Sequence, residues 1–208
     1  IDAFAKIEQA RVDCGLTLSF FEMTTLAAFL IFAQNHCDVW VLEVGLGGRL
    51  DVVNVIEPNL AVITNVGIDH VEWLGDTREK IATEKAGILR DNLTLVYGET
   101  DMPSTIPPLM ARHHAHLLQY GKDYGYRHTE AAATWQYSNS AVTLSLPIPN
   151  LSLHNTATAI TALLASPLTI TQDHIQVALP KVKLAGRFDS RGMSARQWVF
   201  DVAHNEHG

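Results

Sequence analysis

Two apolar runs, VWVLEV at residues 39–44 and LAVITNV at residues 60–66, constrain this chain more than any other feature. Neither alternates with polar residues, which is the pattern of strands buried on both faces. Each run ends in chemistry. The first carries Glu43 at its end, before a glycine-rich turn at Gly45, Gly47 and Gly48. The second is followed by Asp69 and His70, then by a short helix with Lys85 in its last turn. In an open parallel sheet, ligands bind in the crevice beyond the carboxyl ends of the strands. Glu43 and His70, far apart along the chain, are therefore expected to face one crevice.

The rest of the chain extends the pattern. Residues 2–12 and 22–36 read as helices, the second from the stripe Leu26, Phe29, Leu30 and Ala33, with a loop or short extended piece at 14–21. A third strand is predicted at 93–97. Strands alternating with helical or turn segments argue for an α/β fold with a mostly parallel sheet flanked by helices. Asp76, with Glu79 three residues on, is placed to open the Lys85 helix, and Gly87 to end it. Pro107-Pro108 fits the first turn of a helix running to about His116. Residues 117–150, with Tyr120, Tyr124, Tyr126, Trp135 and Tyr137, then Val142, Leu144 and Leu146 in alternation, read as a small antiparallel insertion. Helices follow at 155–165 and from a Thr171 cap to near Leu179. Pro180 starts a linker, and WVFDV at 198–202 begins a fresh strand. The expected division is 1–184 as one domain and 185–208 as linker and the start of the next.

Composition narrows the function. A chain of 208 residues, 47% hydrophobic and 18% charged, can bury one substantial core. A formal charge of −7 argues against a nucleic-acid binder. No apolar run approaches the ~20 residues of a membrane span, and the N-terminus lacks a signal-peptide pattern. Cys14 and Cys37 lie in no CxxC pair and read as reduced thiols. A cytoplasmic enzyme fits best. The chain begins without methionine, inside helical pattern, so a piece of a longer protein is expected.

Taken singly, the polar candidates are ambiguous. Glu43 and His70 suit a divalent cation such as Mg²⁺ or Mn²⁺, or else a capped strand-end acid and a satisfied core histidine. A glycine-rich turn lets the backbone approach a ligand closely, but GLGG is not GxGxxG and there is no GxxxxGK[ST], so turn geometry is the stronger reading. Lys85 in a last helical turn meets the dipole favourably, typically by ~0.3–1 kcal/mol. Arg187, in Gly186-Arg187-Phe188, is a hinge arginine able to clamp a phosphate. Asn155 and Asp201 read equally as caps or solvated groups, and His113, His114 and His116 as solvated side chains.

Together the words are specific. LEVGLGGRLDVVN, NVGIDHVEWLG, EKAGI, GRFD and DVAHN, in this order and over nearly the whole chain, closely resemble the bacterial bifunctional dihydrofolate synthase/folylpolyglutamate synthase family of the Mur ligase superfamily. The resemblance implies the superfamily's central ATPase-type domain, an antiparallel insertion and the start of a Rossmann-like C-terminal glutamate-ligase domain. It implies Glu43 and His70 as Mg²⁺ ligands and Lys85 as a lysine carbamylated by CO₂, an anionic oxygen ligand for a second Mg²⁺. Asn155, Arg187 and Asp201 match ATP-contacting positions. Ser19, Phe20, Phe21 and Glu22, with Leu50, Asp51 and Val52, match the pterin side of the substrate pocket.

The reaction it implies joins the carboxylate of dihydropteroate or a reduced folate to L-glutamate at the expense of ATP. The carboxylate takes the γ-phosphoryl group, and the amine of glutamate then displaces phosphate from the acyl phosphate. Small molecules are the expected partners, with no nucleic acid or membrane, and a monomer is expected. The family's P-loop and a serine-bearing loop are expected N-terminal to residue 1, and the glutamate-binding surface beyond residue 208. The 208 residues alone are expected to be inactive. Glu206 and Gly208 stand where the family has proline and alanine after His204-Asn205. Two alternatives share these words: another Mur-type amino-acid ligase, and a non-catalytic remnant binding a pterin or nucleotide.

Overall fold

The computed structural model describes residues 1–128, 133–187, 189–193 and 196–202. They fall into two compact units, Ile1–Glu57 and a second that begins at Pro58. The expectations on Phe188 and on residues 203–208, which include His204-Asn205, lie outside the described residues.

The first unit packs α1 (Asp2–Cys14) against α2 (Phe20–Gln34). Gly15, at φ 63, turns α1 off in the left-handed conformation that glycine adopts at least cost. The start of α2 is set by a capping box. The Ser19 hydroxyl accepts the Glu22 N–H (3.2 Å), and the Glu22 carboxylate accepts the Ser19 N–H (2.7 Å). Two orphan donors are satisfied at once, so the helix begins at Phe20, two residues before the predicted start.

Residues 39–44 correct the sequence reading. They form no strand and belong to no ladder among the described residues, and Val41 is 90% exposed. A strand buried on both faces needs partners at its edges and cover on each side. Trp40 is stacked on Phe29 (centroids 6.0 Å) and edge-on to Phe32 (5.5 Å).

The second unit is built on a parallel sheet ordered β1 (Leu60–Ile63), β2 (Thr94–Tyr97), β3 (His116–Gln119). Its helices are α3 (Val71–Leu74), α4 (Arg78–Ala86), α5 (Ile106–Arg112), α6 (Leu153–Ala165) and α7 (Gln172–Ala178). An antiparallel sheet, β4 (Tyr124–His128), β5 (Thr134–Asn139) and β6 (Thr143–Pro147), supplies the expected insertion. A hairpin, β7 (Asp189–Met193) and β8 (Arg196–Phe200), follows.

Successive side chains of β2 point to opposite faces, and both faces are buried. Leu95 and Tyr97 join Ile63, Ile81, Ala82 and Ile106 in one core. Val96 joins Trp135, Tyr137, Leu146, Ala157 and Ile160 in the other. In β1 the two-sided burial fails: Ala61 and Ile63 are buried but Val62 is 37% exposed, because β1 is the edge of the described sheet.

Three boundaries move for local reasons. Thr77, not Asp76, caps α4 by accepting the Lys80 N–H, while Asp76 pairs with the Lys80 ammonium (2.8 Å). Gly87 follows that helix in right-handed conformation. The Pro107-Pro108 helix stops at Arg112, His114 turns the chain at φ 49, and His116 enters β3 opposite Thr94.

Candidate active site

The carboxyl end of β1 is where the second unit gathers its polar side chains. Gly98, just past β2, donates its N–H to Ile63 O (2.9 Å). A Cβ there would lie 2.3 Å from the Thr64 carbonyl oxygen, so the two backbones meet at a distance only glycine permits. The loop leaving β1 then presents the Asn65 carbonyl, which accepts the Lys85 ammonium (2.8 Å) from the last turn of α4. Burial pushes the Lys85 amine below the usual lysine range, and the nearby negative charges of Glu99 and Asp69 oppose that shift. The same loop reaches Asp69 and His70.

His70 stands in left-handed conformation (φ 48) at the head of α3, an uncommon state for a residue with a Cβ. Its N–H donates to Asp69 Oδ1 (2.8 Å), and its Nε2 lies 3.9 Å from Asp69 Oδ2. His70 and Lys85 thus belong to one end of the sheet. Asn155 starts there too: its neighbour His154 bonds the Gly98 carbonyl and packs on Tyr120 (centroids 4.2 Å), tying the N-terminus of α6 to the end of β2. Asn155 itself is exposed in the first turn of that helix.

Arg187 and Asp201 lie on either side of the β7–β8 hairpin. The Val202 N–H donates to Gly186 O (2.8 Å), which closes the linker against the end of β8 and brings both exposed side chains to one base.

The first unit brings its two predicted substrate words together. A Cβ on Gly45 would meet the Phe21 ring at 2.8 Å, so Phe21 packs on the glycine turn. Asp51 holds that turn from inside: Oδ2 accepts the N–H groups of Gly45 (2.8 Å) and Leu46 (3.1 Å), and Oδ1 accepts that of Val53 (2.9 Å). Asp51 therefore has a structural task, capping the 3₁₀ turn Val52–Val55. Phe20 and Leu50 are largely exposed, and Glu43 is exposed in the unpaired segment. Among the described residues, no three His, Cys, Asp or Glu side chains are gathered as a metal cage.

Arg78 and Glu99 escaped the sequence reading. Glu99 accepts the Val66 N–H (2.9 Å), Arg78 Nε donates to Val66 O (2.8 Å), and their charged ends are 3.6 Å apart. Glu99 sits two residues past β2, so the strand-end rule that singled out Glu43 and His70 points to it as well.

Comparison with known proteins identifies the family. Residues 7–166 match the Mur ligase middle domain. The chain belongs to the Mur ligase middle-domain family. The chain is 43% identical over 206 residues to the dihydrofolate synthase/folylpolyglutamate synthase of Escherichia coli K12, covering 99% of the chain and 48% of that protein. The Haemophilus influenzae protein of the same name is 37% identical over 221 residues, at 99% and 49% coverage.

Among solved structures, E. coli FolC in complex with DHPP and ADP superimposes with a TM-score of 0.92 at 41% identity, over 99% of this chain and 49% of that one. The Yersinia pestis bifunctional enzyme complexed with AMPPNP and Mn ion gives 0.89 at 38%, with the same coverage. The chain spans about half the length of the curated relatives it matches. No helix among its described residues is long and apolar enough to cross a membrane.

Proposed function

We propose that the polypeptide carrying this chain is an ATP-dependent ligase that forms an amide bond between dihydropteroate, or a reduced folate, and L-glutamate. The observation that carries the reading is Lys85: a half-buried amine at the carboxyl end of a parallel sheet, held on the Asn65 carbonyl near Asp69, with its protonated form disfavoured by partial burial. An amine attacks CO₂ only when unprotonated. The product, a carbamate plus a released proton, exchanges a cation for anionic oxygens, the donors a hard divalent ion prefers. That donor chemistry fits Mg²⁺. Glu43, His70 and carbamylated Lys85 would hold two Mg²⁺ ions, whose charge offsets that of the phosphate oxygens.

The chain's own residues then position the partners. Asn155, Arg187 and Asp201 would contact ATP. The exposed guanidinium of Arg187, on the linker, suits a mobile clamp on phosphate. Ser19, Phe20, Phe21 and Glu22, with Leu50, Asp51 and Val52, would line the pterin side, where aromatic faces suit a flat heterocycle. Residues 1–184 serve as the ATP-binding domain and 185–208 as linker and the start of the glutamate-ligase domain. The protein works as a cytoplasmic monomer. Its similarity to the E. coli and Y. pestis enzymes, which bind ADP with DHPP and AMPPNP with Mn ion, supports this choice over other Mur-type ligases.

The test is phosphate release by the complete polypeptide. Release that requires both L-glutamate and dihydropteroate or a reduced folate, rises with bicarbonate, and is lost in Lys85→Met is expected. A UDP-linked substrate supporting turnover where pterins do not would overturn the assignment.

A further inference from the structure

The two peptides on either side of Val66 are gripped by side chains from other elements. Val66 is fully buried, so water cannot satisfy its N–H and C=O. Glu99 accepts the N–H and Arg78 donates to the C=O, the two side chains facing each other across the same residue. Each is held in turn: the Arg78 guanidinium bonds Asp101, and Glu99 Oε2 also accepts the Tyr97 hydroxyl (3.2 Å). The carbonyl of the Asn65–Val66 peptide, whose N–H Glu99 holds, takes the Lys85 ammonium. Arg78 opens α4 and Lys85 lies in its last turn, so the helix is moored to this loop at both ends.

We propose that Arg78 and Glu99 are positioning residues for the ligase reaction, a clasp that sets Lys85 and Asp69-His70 relative to one another. The inference rests on the reading of Lys85 and His70 as site residues. Neither clasp residue needs to touch substrate. Their task is to leave the loop between β1 and His70 a single path. Site geometry tolerates little: a displacement of about 1 Å costs on the order of a hundredfold in rate.

The experiment uses the complete polypeptide and three readouts: steady-state kinetics of glutamate-dependent phosphate release, Mn²⁺ activation curves, and hydrogen exchange at individual amides. Glu99→Ala and Arg78→Ala are expected to lower kcat roughly 10- to 100-fold with KM for ATP changed less than about threefold. The Mn²⁺ midpoint should rise. The Val66 amide should exchange faster while Leu95 and Val96 in β2 keep their protection. Glu99→Gln keeps an acceptor for the Val66 N–H and should recover most of the rate.

If an alanine variant does not fold, Glu99→Gln and Arg78→Lys decide by the same readouts, with smaller shifts of the same sign. Folded variants with an unchanged Mn²⁺ midpoint, or with Val66 as protected as in the parent, overturn the clasp. A parent without glutamate-dependent turnover overturns the ligase reading instead, and the exchange data still judge the clasp.

Discussion

A single missing side chain shapes the candidate site. Gly98 lets the end of β2 touch the backbone of Thr64, directly before the Asn65 carbonyl that Lys85 binds. Alanine there would place Cβ 2.3 Å from the Thr64 oxygen and 3.1 Å from its carbonyl carbon, and backbone cannot swing aside as a side-chain tip does. Gly98→Ala is expected to cost about 1–3 kcal/mol, the range of overpacked sites. Gly125 in β4 is the matched control, since its added methyl meets nothing within 4 Å. Gly125→Ala should stay within about 0.5 kcal/mol of the parent. Chemical denaturation of both variants is the measurement, and equal costs would show that the close approach at Gly98 is relaxed without penalty. Asp51 teaches the complementary lesson. The family resemblance implies a place for it on the pterin side, and three backbone amides also hold its carboxylate, so the turn itself calls for an acid here.

Among the elements, α6 shows how a buried polar face is made safe. Thr156, Thr158 and Thr161 are all buried, and each hydroxyl bonds the carbonyl one turn back. Two tyrosines from the antiparallel sheet complete the set: Tyr137 meets Thr161, and Tyr124 meets both Thr158 (3.0 Å) and the Tyr97 carbonyl (3.1 Å). Burial pushes the Tyr124 phenol up from 10.0 to about 12. A raised folded pKa means that its contribution is complete below pH 10 and is lost as pH rises toward about 12, where only the unfolded chain has ionised. The loss is steepest at roughly 1.4 kcal/mol per pH unit. Tyr124→Phe should therefore be less stable than the parent by about 1–2 kcal/mol at pH 8. That gap should narrow steadily when denaturation is repeated up to pH 11.5. Tyr137 and Tyr120 are also raised but are common to both proteins, so a gap independent of pH would remove Tyr124 as the cause.

Most of this architecture was legible because its signals are local. Thr171 caps α7 as read, Pro107-Pro108 opens α5, and the alternation around Tyr137 and Leu144 marks the antiparallel sheet. What failed depended on partners. VWVLEV is apolar enough for a central strand, but apolarity does not supply a neighbour, and Val41 stands exposed. The four residues of β3 were hidden behind three histidines, and their membership in the sheet rests on pairing with β2. The candidate site divides the same way. That His70 and Lys85 lie at one end of the sheet was readable from strand-end and helix position, whereas the pairing of Arg78 and Glu99 becomes visible only through the buried amide and carbonyl of Val66.

At the scale of the molecule, stability is unevenly shared between the two units. Both hydrophobic cores draw their residues from Leu60 onward, through Leu179. In the first unit the buried apolar side chains are Ala3, Ala27 and Phe29, while Phe20, Val41, Leu50 and Val55 are each well exposed. Apolar area removed from water contributes roughly 25 cal/mol per Å², so a unit that buries two alanines and one phenylalanine gains little against the entropy of ordering its chain. Residues 58–208 expressed alone should therefore keep a cooperative thermal transition, with near-ultraviolet dichroism from the enclosed Trp135, Tyr137 and Tyr97. Residues 1–57 expressed alone should show no cooperative transition, because domains this small are marginal even with full cores. Calorimetry on the two pieces and on the whole chain tests both statements. A sharp transition in the short piece would mean that its half-buried side chains suffice to hold it, and loss of the transition in the long piece would mean that the stability of the second unit depends on contacts its two cores do not contain.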